Sequence, residues 1–523
     1  MIGRSQKIFR LLLVLISAVI IFCSFYNLSN YPTVWWDEAI FSETAANLVQ
    51  HGRYAFTIQS PDNLKDFDFR ISAGPVLILP VALAYRLFGV SVWSGRLVAG
   101  AFLVLAFAFL YLSARLLLSR APALLAVLLS LLSTGILYWG RSVMGDVPAL
   151  ACFLAGVFFL IKGLQKERHV LFLAAGLCLG LAVDAKEFYG FTILPAMAAL
   201  VWEYRRRRPE LLKAAGALVA GAALPLAAYV VLKAVVLGGV WPALNHFYYQ
   251  KKLLCHEFFT PCTIGRIYPE SAAFLLTHPL FVSGILGLWL YQRRQGRSLP
   301  WLYWLVNLSL WSIFYVLAVY WERFALPALV LASPWAAYLV VAIYEASSRA
   351  ADFKNHPHLA RGAGIIVLAC LIFPLTLAGS LQPICTRVTD SPFKVIEYLR
   401  YHIPGTFLIE TPEYELTFLD DEHRFHLMPE FYFVESTASS IILSNPAPEA
   451  YDFTKIKADL LVLGSFGKSV FQQNYPLDQV RKHYKKIASI DYYDIYLRRD
   501  RSLGRQVKAI HKNPSCLPQP RLQ

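Results

Sequence analysis

Long apolar runs alternate with short polar breaks over the first two thirds of the chain. The runs fall at 11–28, 94–118, 121–139, 147–163, 169–184, 188–204, 212–236, 273–291, 300–319, 324–344 and 362–380. A membrane-crossing helix needs about 20 apolar residues, so the pattern predicts about 11 spans. Residues 73–90 are also apolar but contain Pro75, Pro80, Arg86 and Gly89. They read as an interfacial or re-entrant segment instead. Two longer loops interrupt the series, 29–93, which contains this segment, and 237–272.

The pattern changes after about residue 381. Charge rises, and apolar positions recur with a period of two. Thr406 to Glu410, Leu460 to Leu463 and Tyr492 to Arg498 read as strands, and Phe393 to Tyr401 as a helix. The predicted organisation is a membrane domain over 1–380, a small α/β domain over 381–504, and a disordered tail over 505–523 that contains Pro514, Pro518 and Pro520. The expected fold class is therefore an α-helical polytopic membrane protein with a small C-terminal α/β domain.

Composition agrees with this pattern. Of 523 residues, 57% are hydrophobic and only 16% are charged, against about 25% charged in soluble domains. A net charge of +15 would fit a nucleic-acid binder if it lay on one soluble face. It lies instead in short breaks between apolar runs: Arg115 and Arg120, Lys166 and Arg168, Arg205 to Arg208, Arg293 to Arg297, and Arg349 to Arg361. Placing these breaks in the cytoplasm satisfies the positive-inside rule, with the N-terminus cytoplasmic and the α/β domain extracytoplasmic. No nucleic-acid partner is expected. The first run lacks a small-residue cleavage site and reads as a retained span. Four cysteines, Cys23, Cys152, Cys178 and Cys370, fall in apolar runs. Cys255 and Cys262 bracket one outer loop, where a disulfide is favoured over free thiols and zinc.

The residues that carry chemistry all fall on the outer side in this topology. Asp37 and Glu38 follow the first span. Paired carboxylates suit general-base work, but acids also favour a helix start, where Asp37 is a good N-cap. Arg141 and Asp146 lie at span ends and read either as a boundary ion pair with a helix cap or as pocket residues. Lys186 reads as a snorkelling lysine near Asp184 and Glu187, or as a fixed cation for a phosphate at the membrane surface. Arg323 and Arg70 carry the same two readings. The acidic run from Glu410 to His426 reads mainly as a solvated face or caps, with cation binding as the sharper alternative. The chain has no Walker loop, no GxGxxG turn, no HExxH and no GxSxG, so ATP-driven pumping has no visible engine.

As an ordered set, four pieces resemble a known class. They are Asp37-Glu38 with the following Ala39 to Gly52, then Arg141 with Asp146 and Pro148, then Gly180 to Lys186, and then Arg323 to Pro327. The set resembles the GT-C integral-membrane glycosyltransferases, in particular the protein O-mannosyltransferase and lipid A aminoarabinose transferase relatives. The likeness covers roughly residues 1–345. It implies a GT-C fold, a polyprenyl-phosphate monosaccharide as donor, Asp37 as base, and Lys186, Arg70 and Arg323 as cations near the carrier phosphate. Where the aminoarabinose transferases place an arginine soon after the acidic pair, this chain has Ala39, Ile40 and Phe41, which argues against that particular sugar.

Sugar transfer on the outer face fits the physics independently. Nucleotide sugars are cytosolic, so an outward site needs a sugar already carried across by a lipid. The expected reaction is an inverting displacement onto a lipid, glycan or protein acceptor in the inner membrane of a bacterium. No cofactor is assigned; a divalent metal stays open, without a ligand set. The alternative class is a multi-span transporter or lipid flippase, which would place charges mid-span and show repeated halves.

Overall fold

The computed structural model describes residues 2–59, 63–132, 134–257, 268–296, 298–317, 321–349, 382–385, 390–429 and 451–501. The expected span at 362–380, the tail from 505 and Cys262 lie outside the described residues, so the Cys255–Cys262 pairing does as well. The chain divides into two compact units. One comprises 1–32, 44–53 and 71–388, and the other 33–43, 54–70 and 389–523.

The first unit is the membrane unit. Among the described residues, five of its helices are long and apolar enough to cross a bilayer: Val92–Arg115, Asp146–Lys166, Arg208–Leu237, Leu299–Leu317 and Glu322–Ala346. Pro269–Thr277 and Pro279–Gln295 form a pair bent by 68°, with Pro279 opening the second helix, where its missing N–H costs nothing. The run at 188–204 starts as a 3-10 turn, Glu187–Thr192, and continues as the short helix Ile193–Tyr204. Pro75–Phe88 is a helix of 14 residues, about 21 Å long at 1.5 Å per residue. That is short of the ~30 Å hydrocarbon core.

Burial ranks the helices. In Asp146–Lys166, 78% of the apolar window is buried, against 22% in Arg208–Leu237. The latter presents Leu212, Leu224 and Val235 outward, as a lipid-facing helix should. Asp146–Lys166 is thus a central helix, and its first residue is one of the predicted site residues.

Among the described residues, the second unit is an α/β fold with a seven-stranded sheet. Its strands are β1 (Ala55–Gln59), β2 (Asn63–Asp66), β3 (Leu408–Glu410), β4 (Arg424–His426), β5 (Leu460–Leu463), β6 (Tyr484–Ile490) and β7 (Tyr493–Arg498). The order is β2-β1-β4-β3-β5-β7-β6. β4, β3 and β5 run parallel; the remaining pairs are antiparallel. The predicted strands at 406–410, 460–463 and 492–498 correspond to β3, β5 and β7, and the predicted helix at 393–401 to Ser391–His402. β5 is a continuous apolar run buried at every position, the signature of a strand covered on both faces. Val395, Ile396 and Leu399 of the helix pack with Ile409, Phe425, Leu460 and Ile495 to form the core.

Two strands of this sheet, β1 and β2, come from the long segment that follows the first apolar helix. Gln59 of β1 pairs with His426 of β4, and the Leu427 amide donates to the Ile58 carbonyl at 2.9 Å. The sequence reading set 29–93 with the membrane domain, whereas segments 33–43 and 54–70 fold with the C-terminal residues.

Candidate active site

The acidic pair opens the helix Trp36–His51. The Ala39 amide donates to the Trp35 carbonyl at 3.0 Å, which makes Trp35 the cap. Glu38 then reaches back, and its Oε2 accepts the Trp35 amide at 3.4 Å, the returning half of a capping box. The helix therefore begins before Asp37, and Glu38 supplies the capping carboxylate instead. Glu38 is 1% exposed, whereas Asp37 is half-buried. Only Asp37 of the pair keeps solvent access, the property a base needs to meet an acceptor hydroxyl.

Residues flanking the pair are held by the α/β unit. The Val34 amide donates to Asp390 Oδ2 at 3.0 Å. The Trp36 indole lies between Tyr414 and Phe466, with ring centroids 4.6 and 4.7 Å away and interplanar angles of 14° and 15°. Its Nε1 donates to the Pro412 carbonyl at 2.9 Å.

Arg70 belongs to the same unit and is buried. Its Nε and Nη2 donate to the two carboxylate oxygens of Asp68 at 2.6 and 2.7 Å. Its Nη1 donates to the Tyr414 hydroxyl and the Met428 carbonyl at 3.0 and 3.2 Å. The guanidinium also stands over the Phe56 ring at 4.7 Å. Burial opposes its charge, but Asp68 outweighs that and keeps the group firmly protonated. Such a fork ties β1, the first loop and the C-terminal residues together.

The acidic run is not a solvated face. Glu410, Glu413 and Glu415 are buried, and of its acids only Asp421 and Glu422 are exposed. Glu410 accepts from the Tyr451 and Tyr475 hydroxyls at 3.0 and 2.7 Å and lies 2.5 Å from His426 Nδ1. Glu413 Oε1 accepts the Gly464 and Gly467 amides at 2.7 and 2.8 Å. Among the described residues, no three His, Cys, Asp or Glu side chains group as metal ligands.

Glu43, one turn along the helix from the acidic pair, is also buried and accepts from Thr417 Oγ1 at 3.0 Å. Burial pushes its carboxyl up to about 7, against the hydrogen bonds from Thr57 and Thr417. A carboxyl raised in the folded state favours folding while protonated. Its contribution is full below about 4.5 and is lost as pH rises through about 7. Stability of the α/β unit should fall over that window, and Glu43→Gln should flatten the slope; thermal unfolding between pH 4.5 and 8 checks this.

In the membrane unit, Asp146 and Lys186 form a buried ion pair, Nζ to Oδ2 4.0 Å. Asp146 starts the central helix, and Lys186 follows the end of His169–Ala185. Gly145 lets these ends meet: a Cβ there would lie 2.3 Å from the Ala185 carbonyl oxygen. The Lys186 ammonium also sits 5.7 Å from the Phe188 ring. Asp184, two residues earlier, has another task. Its Oδ2 accepts the Val76 amide at 2.8 Å, and its carbonyl accepts the Gly74 amide at 3.0 Å. It thereby caps Pro75–Phe88, whose own N-cap is Gly74 and has no side chain to do so.

Arg141 is fully buried and donates to the carbonyls of Cys23, Tyr26 and Tyr31 at 2.6, 2.5 and 3.1 Å. It anchors the chain leaving the first helix. Arg96, which the sequence reading missed, does the same at the Leu28 carbonyl, 2.8 Å away. The signal was a charged residue inside an apolar run, which is rare without a specific partner. Arg323 is buried with its guanidinium 4.5 Å from the Trp321 ring and 5.7 Å from that of Trp139.

The structure is similar to that of ArnT from Cupriavidus metallidurans bound to undecaprenyl phosphate, with a TM-score of 0.62 at 14% identity. The alignment covers 92% of this chain and 97% of that one. It is also similar to the archaeal oligosaccharyltransferase AglB from Archaeoglobus fulgidus, in complex with an inhibitory peptide and a dolichol-phosphate. There the TM-score is 0.58 at 14% identity, over 92% of this chain and 73% of that one. The chain has the GT-C glycosyltransferase fold. Residues 72–232 match the family model for dolichyl-phosphate-mannose-protein mannosyltransferase. A comparison with the curated proteins finds no match. With this fold and its long apolar helices, the chain is an integral membrane protein.

Proposed function

We propose that this protein transfers a monosaccharide from a polyprenyl-phosphate carrier to an acceptor hydroxyl on the extracytoplasmic face of the membrane. The observation that carries the reading is the buried Lys186–Asp146 pair at the ends of two membrane helices, in a fold whose solved relatives are described with undecaprenyl phosphate and dolichol-phosphate. A buried lysine at the end of a membrane-unit helix, with a carboxylate 4.0 Å away, is a fixed cation suited to a phosphate oxygen.

Asp37 takes the proton of the acceptor hydroxyl. The acceptor oxygen then bonds to the anomeric carbon as the bond from that carbon to the phosphate oxygen breaks, inverting the centre. Negative charge grows on the departing lipid phosphate, and the Lys186 ammonium stabilises it. Asp146 orients Lys186, and Arg323 is a second cation for the same phosphate. Glu38 fixes the helix start that carries Asp37. Arg70 and Arg141 act as anchors, Arg70 through Asp68 and Tyr414 and Arg141 through the backbone carbonyls of Cys23, Tyr26 and Tyr31. The basic inner breaks place the N-terminus in the cytoplasm and the α/β unit outside.

The test supplies purified protein in detergent with a radiolabelled polyprenyl-phosphate sugar and a membrane extract. Label should move to an acceptor fraction, and Lys186→Ala should cut kcat/KM by about 100-fold, in the range found for loss of one charge-stabilising donor. No movement of label across a panel of lipid-linked sugars would end the transfer reading.

A further inference from the structure

In open α/β sheets, ligands bind in the crevice beyond the carboxyl ends of the parallel strands. Here that edge lies after Glu410 of β3 and Leu463 of β5. It is already occupied by the chain itself. Pro412 and Tyr414 follow β3, and Phe466 follows β5; these three residues hold the Trp36 indole through one hydrogen bond and two ring faces. Glu413 also ties down this edge, accepting the Gly464 and Gly467 amides after β5. Phe471 adds a tilted ring 6.1 Å from the indole. Trp36 immediately precedes Asp37, and the Val34–Asp390 hydrogen bond grips the same segment two residues upstream.

We infer that the C-terminal α/β fold uses its ligand-binding edge as a clamp for Trp36, and that Trp36 and Phe466 are positioning residues for the Asp37 carboxylate. This rests on the proposed transferase reading for its kinetic consequence, though not for the clamp itself. The α/β fold thus serves the base, where an acceptor-binding module would have kept the crevice open. A stacked indole has few rotamers, so it fixes the neighbouring backbone at low entropic cost. Misplacing a reacting group by about 1 Å can cost about 100-fold in rate.

Two arms test this on the full-length protein in detergent, comparing wild type with Trp36→Phe, Trp36→Ala and Phe466→Ala. The first arm is amide hydrogen exchange, which needs no turnover. Residues 34–40 should exchange about 10-fold faster in Trp36→Ala and Phe466→Ala, with the membrane helices unchanged. Unchanged exchange at 34–40 would overturn the clamp. The second arm is transfer from the radiolabelled polyprenyl-phosphate sugar. Trp36→Ala should lower kcat about 100-fold at unaltered donor KM, and Trp36→Phe, which keeps the stack, should recover most of it. Full kcat in Trp36→Ala would overturn the positioning role, as would a loss shared equally by Trp36→Phe. If Phe466→Ala does not fold, Phe466→Leu replaces it in both arms. Failure of wild type to transfer any label would sink the transferase reading and leave the exchange arm to decide the clamp.

Discussion

Asp37→Asn should cut the rate of sugar transfer by orders of magnitude while leaving the protein folded and donor KM nearly unchanged. The substitution keeps size and hydrogen-bonding shape but removes the basic site. General-base groups contribute about 100- to 10,000-fold, so kcat should fall within that range. Glu38→Gln should do less to the chemical step, because that carboxylate is buried and spends an oxygen on the Trp35 amide. Initial rates across donor concentrations separate the two effects. Retention of more than half the wild-type kcat by Asp37→Asn would remove the base assignment.

The largest effect on stability should come from Asp68→Ala. Arg70 and Asp68 are both shielded from solvent, with bidentate contact. Removing one member of such a pair leaves an uncompensated buried charge, typically costing about 3–5 kcal/mol. Tyr414 and Met428 retain their contacts with the guanidinium but cannot neutralise it. The midpoint of thermal unfolding of the α/β unit, followed by tryptophan fluorescence, should drop by many degrees. Asp68→Asn should fall between wild type and alanine, since it keeps the acceptor without the charge. An unchanged midpoint in Asp68→Ala would show that the pair holds nothing together.

Much of this architecture is legible in residue order. The long apolar runs at 94–118, 147–163 and 212–236 carry their own helices, because length and hydropathy are local properties. β5 and β7 are equally plain, as a continuous apolar run and an alternating one. The sequence also points to Lys186 and Asp146 as separate candidates, each at the end of a run. Their pairing is not legible, since it depends on Gly145 admitting the Ala185 carbonyl at a distance no side chain tolerates. Local spacing suggested Asp184 as a partner for Lys186, yet Asp184 caps a helix more than 100 residues earlier. β1 and β2 escaped notice for a related reason. They are short, β2 is polar, and the neighbour that makes them strands is β4. Arg70 looked like an exposed cation beside the first loop. Its burial follows from Tyr414 and Met428, which are 344 and 358 residues distant.

The Trp36–Pro412 hydrogen bond joins residues 376 positions apart. At a synthesis rate of about 5–20 residues per second, the first loop waits about 20–75 s before its partner strands exist. Throughout that interval β1 and β2 are a hairpin with an open edge, and the Asp37 segment has nothing to grip it. An isolated hairpin is marginal in water at best. The order of synthesis therefore acts as an assembly checkpoint: the proposed base is set only after the chain has been made past Phe466. A chain that stalls or is cleaved before β4 would carry Lys186 yet lack the strands and rings that hold the Asp37 segment.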